Sequence, residues 1–254
     1  MNEPATNRWT TETITSIHRW TDALWSLRII RPAAFRFQPG HYVRLGLPVD
    51  AQESVWRPYS LVSAPNDNAL EILLVLIPGG AFTSQLMGMQ AGDAVLLDRS
   101  CFGFFLADQL TPGRTLWMLA TGTGLGPYMS MLRDGAILNA HERVIVVHSV
   151  RVADELAYAD ELSALQRAHG ERIQYIPVVT REPIPGTMNT RIPQLIQDNR
   201  LQSEAEATFD PTTVRVMVCG NPDFTAEMRR LLVDRKFLPC RRNAPGSMLF
   251  EKYW

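Results

Sequence analysis

Leu119-Ala-Thr-Gly-Thr-Gly-Leu-Gly-Pro127 decides how this chain is read. An apolar stretch, 116–120, runs into it, and a helix is predicted from Pro127 to about Gly135. A glycine-rich turn between a buried strand and a helix marks a β-α unit. Glycines let a backbone approach a pyrophosphate with no Cβ in the way, and a helix N-terminus offers free N–H groups to an anion. Pro127 suits the first helical position, where its missing donor costs nothing. The turn departs from the strict dinucleotide fingerprint, because a proline stands where the third glycine belongs. Alone, it is explained equally well as a tight βα turn.

Downstream, the alternation continues. Strands are predicted at 144–149, 173–180 and 214–219, each followed by a helix, at 154–169, 193–199 and 222–235. The strand runs are almost continuously apolar, as strands buried on both faces must be, so a parallel sheet between helix layers is expected. Upstream of Thr111-Pro-Gly-Arg114 the pattern is different. Short strands at 11–18, 24–30, 41–47, 59–63, 70–77 and 94–100 are separated by turn residues, with one helix at 83–89. That pattern fits a small antiparallel β-barrel. The expected fold is therefore two domains: a barrel over 1–112 and an α/β unit over 113–254. Surface loops are expected at 48–54 and 202–211.

The 254 residues are enough for two cores. Lys plus Arg number 25 against 26 Asp plus Glu, so no global field favours nucleic acid. The three cysteines, Cys101, Cys219 and Cys240, form no CxxC pair, which excludes a four-thiolate cluster built from this chain alone and argues against a disulfide framework. No metal site is expected. No apolar run approaches the roughly 20 residues that span a bilayer, and the first residues lack an apolar signal core. A cytoplasmic protein with no membrane partner is expected.

Three arginines bear on the ligand. Arg151 ends Val144-Ile-Val-Val-His-Ser-Val, Arg181 ends Ile176-Pro-Val-Val-Thr, and Arg191 opens Thr190-Arg-Ile-Pro. An NAD site wants an acid at the end of the second strand. Glu142 has about the right spacing but precedes that strand, which ends at Arg151. An arginine fork makes charge-assisted bonds to phosphate oxygens, so the set points to the extra phosphate of NADP(H). For any single arginine, a solvated surface charge remains the alternative; three at equivalent strand ends favour phosphate.

Other stretches could carry chemistry. Arg57-Pro-Tyr-Ser60 supplies a fixed charge, a flat ring and a small hydroxyl, with Arg57 and Tyr59 on one strand face and Ser60 on the other. Ile77-Pro-Gly-Gly-Ala-Phe-Thr-Ser84 is a second glycine turn before a helix, or a plain capped turn. Val218-Cys-Gly-Asn-Pro-Asp223 is a strand end and helix start where α/β sheets bind ligands. Cys219 reads either as a thiol against a reacting ring or as an inert buried thiol. The chain ends Phe250-Glu-Lys-Tyr-Trp254, an aromatic end with the character of a platform for a planar ring.

In order, Arg-x-Tyr-Ser, Gly-Gly before Thr/Ser, Gly-Thr-Gly-x-x-Pro, His-x-x-Arg, Thr-Arg-Glu, Arg-Ile-Pro, Cys-Gly-Asn-Pro and a terminal aromatic resemble the bacterial ferredoxin (or flavodoxin)–NADP reductases over nearly the whole chain. The resemblance implies an FAD-binding antiparallel barrel, an NADP-binding α/β domain whose C-terminal segment returns to the flavin, a monomer, and a ferredoxin or flavodoxin as electron partner. It implies that Arg57 and Pro58 lie at the FAD diphosphate, Tyr59 stacks on the flavin and Ser60 bonds near its reactive nitrogen. It implies that Gly80, Ala81, Phe82, Thr83 and Ser84 cradle the FAD phosphates, and that Thr121, Tyr253 and Trp254 meet the flavin. For NADP it implies Gly122, Thr123, Gly124, Val150, Arg151, Thr180, Arg181, Arg191, Asn221, Pro222 and Asp223. Ser60, Cys219, Glu251 and Trp254 would flank hydride transfer. Gly126, where the family has alanine, would loosen the turn. The basic stretch from Arg229 to Arg242 would help dock an acidic carrier, or serve only as a solvated face. Two rivals remain at this point: an NADPH-dependent flavin reductase component of an oxygenase system, and a non-catalytic nucleotide-binding redox sensor.

Overall fold

Two sheets of opposite character share the chain. The computed structural model describes residues 8–50 and 53–253. The first sheet holds β1 (Trp9–Arg19), β2 (Leu24–Ile30), β3 (Tyr42–Pro48), β4 (Ser54–Ser60) and β5 (Ala69–Val75). After helix α1 (Ala81–Leu86), β6 (Ala94–Asp98) completes it. All its pairings are antiparallel, in the order β4-β3-β6-β1-β2-β5. An antiparallel bridge between Leu61 and Ile72 ties the chain leaving β4 to β5, so the two ends of the sheet meet and the barrel closes. Closure leaves the alternating apolar residues facing inward: Ile14, Leu27, Val43, Leu45, Ile72, Val95 and Leu97 are each at most 2% exposed.

The second sheet comprises β7 (Thr115–Thr121), β8 (Arg143–Val150), β9 (Ile173–Val179), β10 (Val214–Gly220) and β11 (Met248–Lys252). All its pairings are parallel, in the order β11-β10-β7-β8-β9. The helices are α2 (Gly126–Asp134), α3 (Ala136–Ala140), α4 (Ala159–His169), α5 (Ile192–Gln197), α6 (Arg200–Ala205) and α7 (Pro222–Asp234). Every residue of β10 is buried, as expected for a strand with helices on both faces. The core against α2, α3 and α4 runs on into the barrel through Leu24, Val62, Leu73 and Phe105. The other layer packs α5, α6 and α7 against the opposite face.

The sequence expectations need three corrections and one addition. The strand expected at 59–63 is β4, which ends at Ser60; Pro58 lies inside it, opposite Arg44, where no N–H is available to the ladder. The loop expected at 202–211 begins as α6, because Leu201 and Ala205 bury one face of a short helix that polar composition disguised. The helix expected from 154 starts only at Ala159, after Tyr158 turns at φ +60°. The C-terminal segment is strand β11, formed only because β10 offers it a parallel edge.

Candidate active site

The turn after β7 and the carboxyl ends of β10 and β11 meet the end of β4. Gly122 leaves β7 at φ +52° with open space where a Cβ would stand. A Cβ at Gly124 would run into the Cys219 carbonyl, and one at Gly220 into Thr121 Oγ1, so the two turns approach as only glycine allows. The Gly122 carbonyl is held by His148 Nε2 at 3.0 Å. His148 is completely buried, and burial lowers its pKa to about 4, so the ring is neutral and Nε2–H is the donor. Tyr253 grips the same turn: its hydroxyl donates to the Thr123 carbonyl at 3.3 Å and its N–H to the Gly220 carbonyl at 3.0 Å. A Cβ at Gly126 would meet Val62 Cγ2 at 3.4 Å, an ordinary contact. The turn is thus braced by His148 and Tyr253 rather than by residue 126.

Where the barrel meets this edge, Ser60 is buried and its hydroxyl donates to Glu251 Oε2 at 3.3 Å. Cys219, fully buried, lies directly opposite Glu251 in the β10–β11 register, with Sγ 3.8 Å from the same oxygen. Burial pushes the Glu251 carboxyl up to about 7, opposed by the bonds from Ser60 and Cys219. Burial also raises Cys219 and Tyr253 well above their ordinary values, with Glu251 adding to both. Cys219 is therefore a neutral thiol, not a nucleophile. Near neutral pH, Glu251 can hold or release a proton in a dry place.

On the barrel side, Arg57 is exposed; its guanidinium donates to the Trp56 carbonyl, its own neighbour's, at 2.8 Å. Tyr59 is half-buried on the Phe82 ring, with centroids 5.5 Å apart. The 80–84 segment divides. Phe82 and Thr83 are buried, and the Thr83 hydroxyl donates to the Ile77 carbonyl at 2.8 Å, so it serves the turn and not an outside ligand. Gly80, Ala81 and Ser84 are the outward members. The α1 N-terminus has no side-chain cap.

Three arginines were expected at strand ends, and two are there. Arg151 follows β8 and Arg181 follows β9, joined by an Arg181 N–H to Arg151 carbonyl bond of 2.9 Å. Thr180 bonds the Val150 carbonyl through both N–H and hydroxyl, at 3.0 Å each. Both guanidinia are without a hydrogen-bond or ion-pair partner among the described residues. Arg191 instead caps α5, because Ile192 and Pro193 start a helix there, and its guanidinium pairs with Glu227 at 2.6 Å. Asn221 caps α7, accepting from Phe224 N–H at 2.9 Å, ahead of exposed Pro222 and Asp223. Glu142 lies before β8 and pairs with Arg114 at 2.9 Å, far from the strand end where a ribose acid would sit. Trp254 lies outside the described residues.

Sequence reasoning gave no role to His148 or to Arg133. A histidine inside Val144-Ile-Val-Val-His-Ser-Val was the available signal for the first. Nothing local marked the second, whose partners Glu71 and Glu161 are 62 and 28 residues away.

Residues 15–103 match the oxidoreductase FAD-binding domain, and residues 118–230 the oxidoreductase NAD-binding domain. The flavodoxin/ferredoxin–NADP reductase of Escherichia coli (strain K12) is 36% identical over 247 residues, covering 97% of this chain and 99% of that one. The ferredoxin–NADP reductase of Pseudomonas aeruginosa is 34% identical over 252 residues, covering 95% and 96%. A crystal structure of a ferredoxin NADP+ reductase from Neisseria gonorrhoeae with bound FAD and NADP has a TM-score of 0.93 at 33% identity, covering 97% of this chain and 99% of that one.

Proposed function

The chain belongs to the flavodoxin/ferredoxin–NADP reductase family, and on that premise we propose that it uses FAD to exchange a hydride with NADP(H) and electrons, one at a time, with a ferredoxin or flavodoxin. One observation carries this reading. Ser60 from the barrel and Cys219 and Glu251 from the α/β sheet converge on a single carboxylate oxygen, so the two halves of the molecule share one dry reaction point.

The residues present fit both groups. Open space at Gly122 beside a helix start, with two guanidinia along the same edge that have no partner among the described residues, suits a dinucleotide bearing a further phosphate. A buried hydroxyl, a half-buried tyrosine and an exposed arginine on one short strand suit a flavin and its diphosphate. When bound, FAD supplies two-electron acceptance and one-electron release.

The chain's own residues supply the rest. Arg57 with Pro58, and the outward faces of Gly80, Ala81 and Ser84, would hold the FAD diphosphate; Phe82 and Thr83 shape that turn from inside. Tyr59, Thr121 and Tyr253 would frame the flavin ring. Gly122, Thr123 and Gly124 would take the NADP pyrophosphate. Arg151 and Arg181, on backbone fixed by Val150 and Thr180, would grip the 2′-phosphate, with Arg191 joining once it leaves Glu227. Asn221, Pro222 and Asp223 would border the nicotinamide half. Buried Cys219 and half-buried Tyr253 limit access of water, and Glu251 holds a proton that Ser60 can share. We extend the proposal to Trp254 as a ring over the flavin, to a division between domains at 112/113, and to a monomer. Exposed Arg230, Lys236, Arg241 and Arg242 would meet an acidic carrier, whereas Arg235 is tied to the Ile196 carbonyl and Arg229 lies over Phe250. No helix among the described residues is long and apolar enough to cross a membrane.

The test is anaerobic. Purified protein should show the visible bands of oxidised flavin, bleach with NADPH far faster than with NADH, and recover on adding oxidised ferredoxin or flavodoxin. A colourless protein, or equal bleaching by both nucleotides, would refute the reading.

A further inference from the structure

Helix α2 touches both halves of the reaction point. Its first residue, Gly126, closes the Gly122–Leu125 turn, and one helical turn further along Ser130 is completely buried. The Ser130 hydroxyl donates to the Ser63 carbonyl at 2.6 Å. One turn further still, Arg133 Nη1 donates to the Val62 carbonyl at 3.3 Å and to Glu71 Oε2 at 2.9 Å. Its Nε and Nη2 take both oxygens of Glu161, at 2.7 and 2.8 Å. Val62 and Ser63 are the chain that leaves Ser60, and Leu61 between them closes the barrel on Ile72.

The far side of this junction is equally specified. Glu71, 5% exposed, also accepts from Tyr158 Oη at 2.8 Å and pairs with Arg28 at 3.2 Å. The Tyr158 hydroxyl lies 2.6 Å from Ser26 Oγ, which accepts from Trp20 Nε1 at 2.8 Å. Four barrel residues, Ser26, Val62, Ser63 and Glu71, are thus fastened to α2 and to Tyr158 at the start of α4 by hydrogen bonds. Such a joint is unforgiving, since a buried charge that loses its partner is costly. A helix is stiff over two turns, so whatever moves the Ser130–Ser63 bond moves the Gly122–Gly126 turn relative to Ser60.

We propose that Ser130 and Arg133 are positioning residues for hydride exchange: they set the separation between Ser60 and the glycine turn, and hence between the flavin and nicotinamide sites assigned above, on which the inference rests. Neither residue would touch a cofactor. Reaction rates are steep in such separations, whereas the affinity of each site taken alone is not.

The experiment uses the FAD-loaded enzyme and its Ser130→Ala and Arg133→Lys variants. Single-turnover flavin reduction by saturating NADPH should slow about 3- to 10-fold in Ser130→Ala, the cost of one buried hydrogen bond, and at least as much in Arg133→Lys. FAD content and NADP+ affinity should stay within about twofold of wild type, since each site keeps its own contacts. Hydrogen exchange supplies a readout free of turnover. In the wild type, NADP+ should slow exchange at 62–64 and 71–73, transmitted through α2; in the variants that protection should shrink or vanish. An unchanged rate in both folded, FAD-loaded variants would overturn the inference, as would a rate that falls only in proportion to flavin lost, or nucleotide protection that survives both substitutions. A wild-type protein that lacks flavin, or that NADPH does not bleach, would overturn the underlying functional reading and this inference with it.

Discussion

The end of the site around Ser60, Cys219 and Glu251 and the end around Arg151 and Arg181 follow opposite rules. The first is dry. Its polar atoms bond to one another, its glycines are forced by close contact with the Cys219 backbone and the Thr121 side chain, and burial moves its protonation equilibria. The second is wet. Its guanidinia are exposed and, among the described residues, unpartnered, and the backbone and Thr180 bonds between the ends of β8 and β9 keep them together. A reaction point has to exclude water and fix distances, whereas a phosphate grip needs charge that is free to meet its ligand. The two ends should therefore respond to substitution through different quantities: pH-dependent stability and rate at one, nucleotide affinity at the other.

The largest effect is expected from Glu251. Its folded-state pKa is raised, from 4.5 to about 7, so the folded state keeps a proton that the unfolded state has lost between those values. Stability from this group is fully present below pH 4.5 and is lost as pH rises through about 7, up to about 3 kcal/mol in total. Glu251→Gln should remove that slope and leave the protein more stable than wild type at pH 8, seen as a melting temperature higher by several degrees. Parallel melting-temperature profiles for the two proteins from pH 4.5 to 8 would mean that this end is not dry.

At the wet end, Arg181→Ala should weaken NADPH about 10- to 100-fold, the loss of one charge-assisted contact of roughly 1.5–3 kcal/mol. NADH binding should hardly change. Titration of both nucleotides decides it, and equal losses would show that Arg181 holds something other than the 2′-phosphate.

Back at the dry end, Ser60→Ala removes one hydrogen bond. Flavin should be retained and its reduction by NADPH slowed about tenfold or less. Normal stopped-flow reduction would take that hydroxyl out of the reaction.

The smallest effect is expected at Glu227. It is partly exposed and pairs with exposed Arg191, so the bond is worth about 1 kcal/mol or less. Glu227→Gln should free Arg191 and tighten NADPH about two- to fivefold. Weaker NADPH binding in that variant would instead identify Glu227 as the brace that aims Arg191, and the contrast between a free and a fixed end would narrow.

The same contrast separates what could be read from residues from what could not. The Gly122–Pro127 turn, the continuous apolar runs of β7, β8 and β10, and the alternating strands of the barrel are local patterns, and each carries its own reason in backbone sterics or burial. Arg151 and Arg181 could be placed because a strand end is a sequence position. Arg191 was grouped with them although the helix expected from Pro193 already put it at a helix start, where the structure has it as the cap of α5. β11 escaped notice because five residues of mixed polarity become a strand only when β10 offers them an edge. The sequence by itself determined the two kinds of sheet, their order along the chain and the charges at the nucleotide edge. Only the tertiary structure decided that Ser60, Cys219 and Glu251 share one oxygen, that His148 holds the glycine turn, and that Glu71 and Arg133 join the barrel to α2. Those pairs are separated by as many as 191 residues. No local propensity links them, and they meet because closing the barrel and stacking the parallel strands leaves each buried polar group one place to find its partner.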